Sequence, residues 1–273
     1  MHPVISGNKW FKLKGYLGQA KEENKDTLLT RGGAYSNHIV ASAYAAKLAG
    51  LKSIGIIRGE EPKTWSHTLL AAKVYGMQLC FLSREEYRQK SLPQGIIDTV
   101  DRDEVIEIPE GGYGEKGAEG ASEILTLIAP SNYTHIVSAV GTGTTLAGLC
   151  LSALDQQRTI GIPVLKNAVS LQQEIEGLLP VEKQKMFQLI NGYHFGGYAK
   201  HNPDLIQFMN DFYLKTGIPT DFVYTAKAFY ATMDLFKNDF FAKGSKVLLL
   251  HSGGLQGNFS LPKGTLIFGE TKC

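Results

Sequence analysis

The sequence predicts an α/β protein of two lobes with largely parallel, twisted sheets flanked by helices. Three observations carry that expectation. Apolar runs of strand length alternate with periodic runs of helix length along the whole chain. Strand and helix repeatedly meet at glycine-rich turns, the usual junction of a βαβ unit. A glycine cluster, Glu110-Gly111-Gly112-Tyr113-Gly114, interrupts the alternation, and 273 residues suffice for two cores. The reading therefore places a smaller lobe over 12–115. Residues 1–11 and 116–273 form a larger one.

The elements follow in order. From Asn8 to about Asn24 the apolar spacing of Trp10, Leu13 and Leu17 predicts a helix with Asn8 as its capping amide. Thr27–Thr30 is a short buried strand. Arg31–His38 is a glycine turn opening an alanine-rich helix, capped by Ser36 or Asn37 and closed by Gly50. Leu51–Arg58, Gln78–Leu82 and Val105–Ile108 read as further strands, with helices around Trp65–Tyr75 and after Leu82. Beyond the glycine cluster, a helix over 116–130 leads to the strand Thr134–Val140. The loop Gly141-Thr142-Gly143-Thr144-Thr145 then opens another helix. Ile160–Leu165 and Lys246–His251 are strands, and helices follow Gly196-Gly197-Tyr198 and Phe222–Thr225.

Composition narrows the function classes. The formal charge of +2 comes from 28 scattered basic and 26 acidic residues, which argues against a nucleic-acid partner. Cys80, Cys150 and Cys273 are few and far apart, as expected of reduced thiols in a cytoplasmic protein. No apolar run reaches membrane-span length, so no membrane partner is expected. Asp98, Asp101, Asp103 and Glu104 lack the glycine turn and terminal glutamate of a calcium loop. The histidines have no ligand spacing, so no metal is expected.

Three constellations carry chemistry. The strand–loop–helix at 141–148 presents backbone N–H groups and hydroxyls to an anion. Its spacing is not the dinucleotide fingerprint, since Ala147 stands where a third glycine belongs and no ribose-binding acid follows. A phosphate monoester held by neutral donors fits better. The turn at Ser36-Asn37-His38 is a second helix N-terminus, suited to a carboxylate. Lys9 falls in the first turn of its helix, where the positive end of the dipole disfavours an ammonium and favours a nucleophilic amine. Together, a reactive lysine, a phosphate cup and a carboxylate cradle describe pyridoxal-phosphate chemistry on a small amino acid.

Five segments in register sharpen this reading: Ser6-Gly7-Asn8-Lys9 with Lys12-Leu13; Gly33 with Ser36-Asn37-His38; Gly141–Thr145 with Ala147-Gly148; Val223-Tyr224-Thr225 with Lys227-Ala228; and His251-Ser252-Gly253-Gly254. The series resembles the 1-aminocyclopropane-1-carboxylate deaminase / D-cysteine desulfhydrase family, among the tryptophan-synthase-β-like enzymes of pyridoxal-phosphate fold type II. The resemblance implies pyridoxal 5'-phosphate as cofactor, bound covalently by Lys9, with Lys12 the lesser alternative. It implies that Asn37 bonds the phenolic oxygen of the cofactor, that Gly141, Thr142, Gly143, Thr144 and Thr145 grip its phosphate, and that Thr225 and Ser252 also face it. Ser36 would be the catalytic hydroxyl, the 36–38 amides would hold the substrate carboxylate, and Tyr198 and Tyr224 would face the substrate. In this family the cyclopropane deaminases carry glutamate at the position of Thr225 and leucine at that of Ser252, whereas small hydroxyls and a histidine like His38 mark the desulfhydrases.

The expected reaction is β-elimination from a small amino acid, giving a 2-oxo acid and ammonia, with cyclopropane ring opening as the alternative. A non-catalytic relative and a dinucleotide-dependent oxidoreductase are the readings from other classes. The family carries a segment before its Ser-Gly-Asn-Lys, whereas this chain begins eight residues before Lys9. That leads one to expect less cover over Lys9. The resemblance also implies a homodimer.

Overall fold

The computed structural model describes Ile5 and residues 7–89, 92, 94–98, 100–166 and 168–268. Ser6 and Cys273, named above, lie outside them. The chain divides into two compact units, Met1–Gly117 and Ala118–Cys273. The boundary falls just beyond the predicted glycine cluster. The helix that begins at Asn8 lies wholly in the first unit, whereas the sequence reading set residues 1–11, and so only its start, with the larger lobe. Its reason is packing: Leu13, Tyr16 and Ala20 share a core with Leu28, Ala41, Ala45, Ile106 and Ile108.

The first unit is built on four parallel strands in the order β3-β2-β1-β4: β1 (Thr27–Gly33), β2 (Lys52–Arg58), β3 (Met77–Leu82) and β4 (Val105–Ile108). Around it lie α1 (Asn8–Glu22), α2 (Asn37–Ala49), α3 (His67–Val74), α4 (Arg84–Gln89) and the single turn α5 (Gln94–Ile97). The strands are apolar without alternation because helices cover both faces of a parallel sheet. β1 is buried along almost its whole length. α2 ends where expected, with Gly50 in the left-handed region at φ 71°. α1 differs at its start. Gly7, at φ 60°, is its N-cap, and Asn8 is already helical, its amide oxygen accepting from Lys9 Nζ at 3.2 Å.

The second unit repeats the plan with the order β7-β6-β5-β8, again all parallel: β5 (His135–Val140), β6 (Arg158–Pro163), β7 (Phe187–Leu189) and β8 (Val247–Leu249). Its helices are α6 (Glu115–Ser122, starting in the last residues of the first unit), α7 (Thr144–Ser152), α8 (Leu171–Glu176), α9 (Pro203–Thr216) and α10 (Thr225–Lys237). The predicted helix over 116–130 is α6 followed by a 3₁₀ stretch, Glu123–Leu127. α7 is buried from Thr144 to Cys150 and crosses α6 so closely that Gly148 has no room for a side chain. A Cβ there would stand 2.5 Å from Ala121 Cβ.

No helix among the described residues is long and apolar enough to cross a membrane. Cys150 lies in the core, its thiol 2.9 Å from Thr159 Oγ1, and burial pushes its pKa up to about 11. Such a thiol is an inert packing group rather than a nucleophile.

Candidate active site

In the first unit, α1 and α2 both start beside the turn that follows β4. Lys9 sits in the first turn of α1, bonded to Asn8. Lys12, one turn further, is buried and donates to Gly111 O at 3.0 Å. Burial, and then the charge of Lys9, lower the Lys12 pKa well below the ordinary lysine value. Gly112 lets that stem pass: a Cβ there would meet Lys12 Cβ at 3.2 Å and His38 Cε1 at 3.7 Å. Lys12 and His38 therefore converge on one glycine turn, within reach of the Lys9 charge.

Ser36 is the N-cap of α2, its hydroxyl accepting from the Ile39 N–H at 3.4 Å, so its own proton remains available for donation. Asn37 and His38 are the first residues of the helix, and their backbone N–H groups lie at its positive end. His38 is buried. Thr30 Oγ1 donates its one proton to Ile108 O at 2.7 Å, so the 2.9 Å contact with His38 Nε2 has the imidazole as donor. His38 Nδ1 is then a lone-pair acceptor, buried without a hydrogen-bond partner among the described residues.

Burial first, then the charges of Lys9 and Lys12, lower the His38 pKa to about 3. The unfolded chain binds a proton near pH 6.5 and the folded one does not. The stabilising contribution is thus complete above pH 6.5 and is lost as pH falls toward 3, at up to about 1.4 kcal/mol per pH unit. His38→Gln should therefore flatten the fall of the thermal unfolding midpoint between pH 6.5 and 4. An unchanged acid limb in this variant would count against a buried neutral His38.

In the second unit, β5 ends in the loop Gly141–Gly143, and α7 starts at Thr144 with Gly143 as N-cap at φ 83°. Its N-cap residue, a glycine, supplies no side-chain capping bond, so the positive end of the helix is open to an anion at that residue. The Thr142 and Thr144 hydroxyls are 3.0 Å apart, and Thr144 and Thr145 are buried at the helix start. The floor is tight: a Cβ on Gly143 would lie 2.4 Å from Ile175 Cγ1, and one on Gly141 would lie 3.2 Å from Tyr224 Cε1. Bare backbone, two hydroxyls and an uncapped helix fit a phosphate monoester.

Tyr224 precedes α10 and packs edge-on against Tyr198, ring centroids 6.0 Å apart. Tyr198 also lines an open cavity of about 460 Å³ with Lys166, Leu171, Glu174, Gly197 and Lys200. Ser252 stands in a turn fixed by His251, whose Nδ1 accepts from Gly253 N–H at 3.2 Å. The His251 Nε2–H then donates to Pro219 O at 2.8 Å.

Thr225, expected from the sequence to face the cofactor, sits at the start of α10. It is fully buried, its hydroxyl accepting from Asp221 N–H at 2.7 Å and donating to Asp221 Oδ1 at 3.0 Å. Its hydrogen is thus spent within the chain, where it pins the start of α10. Asp221 and Lys227 were not singled out as site residues. Both are wholly buried, and the signal that could have found them is a charged residue just before, and another within, the largely apolar Phe222–Phe229 segment.

A family model described as pyridoxal-phosphate dependent enzyme matches residues 1–253. A Pyrococcus horikoshii protein, provisionally named a 1-aminocyclopropane-1-carboxylate deaminase, is 31% identical over 93% of this chain and 82% of its own. A mitochondrial Arabidopsis thaliana protein named bifunctional D-cysteine desulfhydrase/1-aminocyclopropane-1-carboxylate deaminase is 27% identical over 93% of this chain and 70% of its own. Among solved structures, a protein described as an ACC deaminase homologue superposes with a TM-score of 0.77 at 29% identity. That match covers 92% of this chain and 81% of the other.

Proposed function

The chain belongs to the pyridoxal-phosphate dependent enzymes, and from that premise we propose that it is a lyase releasing ammonia and a 2-oxo acid from a small amino acid by β-elimination, as a D-cysteine desulfhydrase does. The bound cofactor supplies an electron sink that acidifies the substrate's α-hydrogen. Everything else falls to this chain's residues. Lys9 would hold the cofactor covalently, and its Nζ, when free, would accept the α-proton. The loop Gly141–Thr145 would hold the phosphate through backbone N–H groups and hydroxyls, and Asn37 would bond the phenolic oxygen. The start of α2 at Ser36–His38 holds the substrate carboxylate, and Ser36 keeps its proton to donate. Tyr198 and Tyr224 face the substrate and assist departure of the β-substituent.

The observation that carries elimination over ring opening is the side-chain set at two positions. Thr225 and Ser252 stand where, by the resemblance above, the cyclopropane deaminases carry glutamate and leucine. With no carboxylate side chain at that position, residue 225 would offer the cofactor's ring nitrogen no counter-charge to keep it protonated. A neutral ring suffices for loss of a good leaving group such as thiolate and serves ring opening poorly. The cysteine usage and the family suggest a cytoplasmic homodimer.

The test is a product assay on the purified, cofactor-loaded protein. Sulfide and pyruvate from D-cysteine are the expected outcome, at least tenfold faster than 2-oxobutyrate from 1-aminocyclopropane-1-carboxylate, a gap of about 1.4 kcal/mol in barrier. Release of 2-oxobutyrate alone would overturn the choice.

A further inference from the structure

α10 carries Tyr224 just before its first turn, Lys227 in that turn, then Tyr230 and Asp234, residues that recur on one face at helical spacing. All four engage the segment 193–198. Tyr193 donates from its hydroxyl to Asp234 Oδ2 at 2.6 Å, and Phe195 packs edge-on against Tyr230 with centroids 5.0 Å apart. Tyr198 meets Tyr224. Lys227 Nζ donates to His194 O at 2.8 Å and to Gly197 O at 2.7 Å.

The segment needs holding. Phe195, Gly196, Gly197 and Ala199 all have positive φ, at 50°, 94°, 118° and 52°, so two non-glycine residues adopt a conformation that their Cβ atoms oppose. Within the turn, His194 O already accepts from Gly197 N–H at 3.0 Å, and Gly197 O from Lys200 N–H at 3.1 Å. Lys227 is thus a second donor to both carbonyls and ties the start of the turn to its end.

We propose that Lys227 is a positioning residue, its buried ammonium clamping the 194–197 turn onto α10 so that Tyr198 is set against Tyr224. The inference rests on the reading of these two tyrosines as substrate-facing. Asp221 serves the other tyrosine. Its carboxylate accepts the backbone N–H groups of Val223, Tyr224 and Thr225 at 3.0, 3.2 and 2.8 Å, which fixes Tyr224 at the start of the helix. Burial lowers the Lys227 pKa to about 8, with the Asp221 charge pulling the other way, so the ammonium persists at neutral pH. A charged side chain buried so completely is kept only where its donors are used.

Hydrogen–deuterium exchange on the full-length Lys227→Met protein, read by mass spectrometry of peptides, tests the clamp independently of turnover. Exchange in 193–200 should accelerate at least tenfold while peptides from β5, β6 and α7 stay unchanged. Lys227→Gln, which keeps two N–H donors on a shorter stem, should recover part of that protection and serves if the Met variant fails to fold. In turnover, Lys227→Met and Tyr198→Phe should each lower kcat about tenfold, and the double variant no further, because the first misplaces the hydroxyl that the second removes. Unchanged exchange in 193–200, a rise spread over the whole unit, identical Met and Gln variants, or losses that multiply would each overturn the clamp. An inactive wild type with the exchange pattern intact overturns the proposed function alone.

Discussion

Lys9→Ala should abolish turnover, by on the order of 10⁴-fold or more, because one amine serves both as the covalent tether and as the base for the α-proton. The same change should prevent borohydride from fixing the cofactor to the chain. The wild type should be yellow when loaded, bleach on reduction, and yield a labelled peptide that contains Lys9. Geometry also explains why Lys12 does not take over. Its Nζ is bound to Gly111 O, and its stem is packed against Gly112 in the core of the first unit. Lys9 is only half-buried, with Asn8 Oδ1 as its hydrogen-bond acceptor. Lys12→Ala should therefore retain the borohydride label and lose mainly stability, through a cavity costing about 2–3 kcal/mol in denaturant titration. If Lys9→Ala keeps a reducible linkage and Lys12→Ala loses it, the two roles are exchanged. A colourless wild type that takes up no cofactor would remove the enzyme reading altogether.

The parallel sheets were legible because their cause is local. Runs such as Thr27-Leu28-Leu29-Thr30 and Ile136–Val140 are apolar on both faces, and helices start at the serine or glycine turns that follow them. What was misread has a physical reason in each case. β7, at the edge of its sheet, is three residues long and too short to show a period. β6 begins at Arg158, whose charge lies outside the apolar run that marks the strand. Asn8 was read as a cap from its residue type, whereas Gly7, at positive φ, makes the turn and leaves Asn8 inside the helix.

The site divides in the same way. The turns bearing Ser36 and Gly141–Thr145 could be recognised as helix starts because a helix N-terminus is written in consecutive residues. The roles of Asp221, Thr225 and Lys227 could not, since they depend on which backbone groups come within reach. Asp221 binds forward to amides two to four residues away, and Lys227 binds back across about 30 positions of chain. Thr225 was singled out because it stands where the cyclopropane deaminases carry glutamate, but its bonds to Asp221 could not be read from that likeness.

Gly143→Val should be the most damaging change in the second unit, through two costs that add. The residue sits at φ 83°, where a β-branched side chain is strained by about 1–3 kcal/mol. Its Cβ would also stand 2.4 Å from Ile175 Cγ1 and 3.2 Å from Cδ1, so α8 must shift or the loop must open. Overpacking of that kind costs about 1–3 kcal/mol more. Both strains act on the backbone whose N–H groups form the anion cradle at the start of α7. Affinity for pyridoxal phosphate should therefore fall by about 100-fold or more, since roughly 2.8 kcal/mol of displaced binding energy corresponds to that factor. Absorbance titration of the apoprotein reads the affinity, and denaturant unfolding of the same apoprotein reads the strain. Gly143→Ala keeps both the conformational strain and the Cβ clash while removing the branch, so a second change is needed to separate them. Combined with Ile175→Ala, which vacates the clashing side chain, it should regain much of the lost cofactor affinity and leave only the strain from positive φ. Wild-type cofactor affinity in Gly143→Val would mean that the phosphate is held elsewhere, and the assignment of Gly141–Thr145 would fall with it.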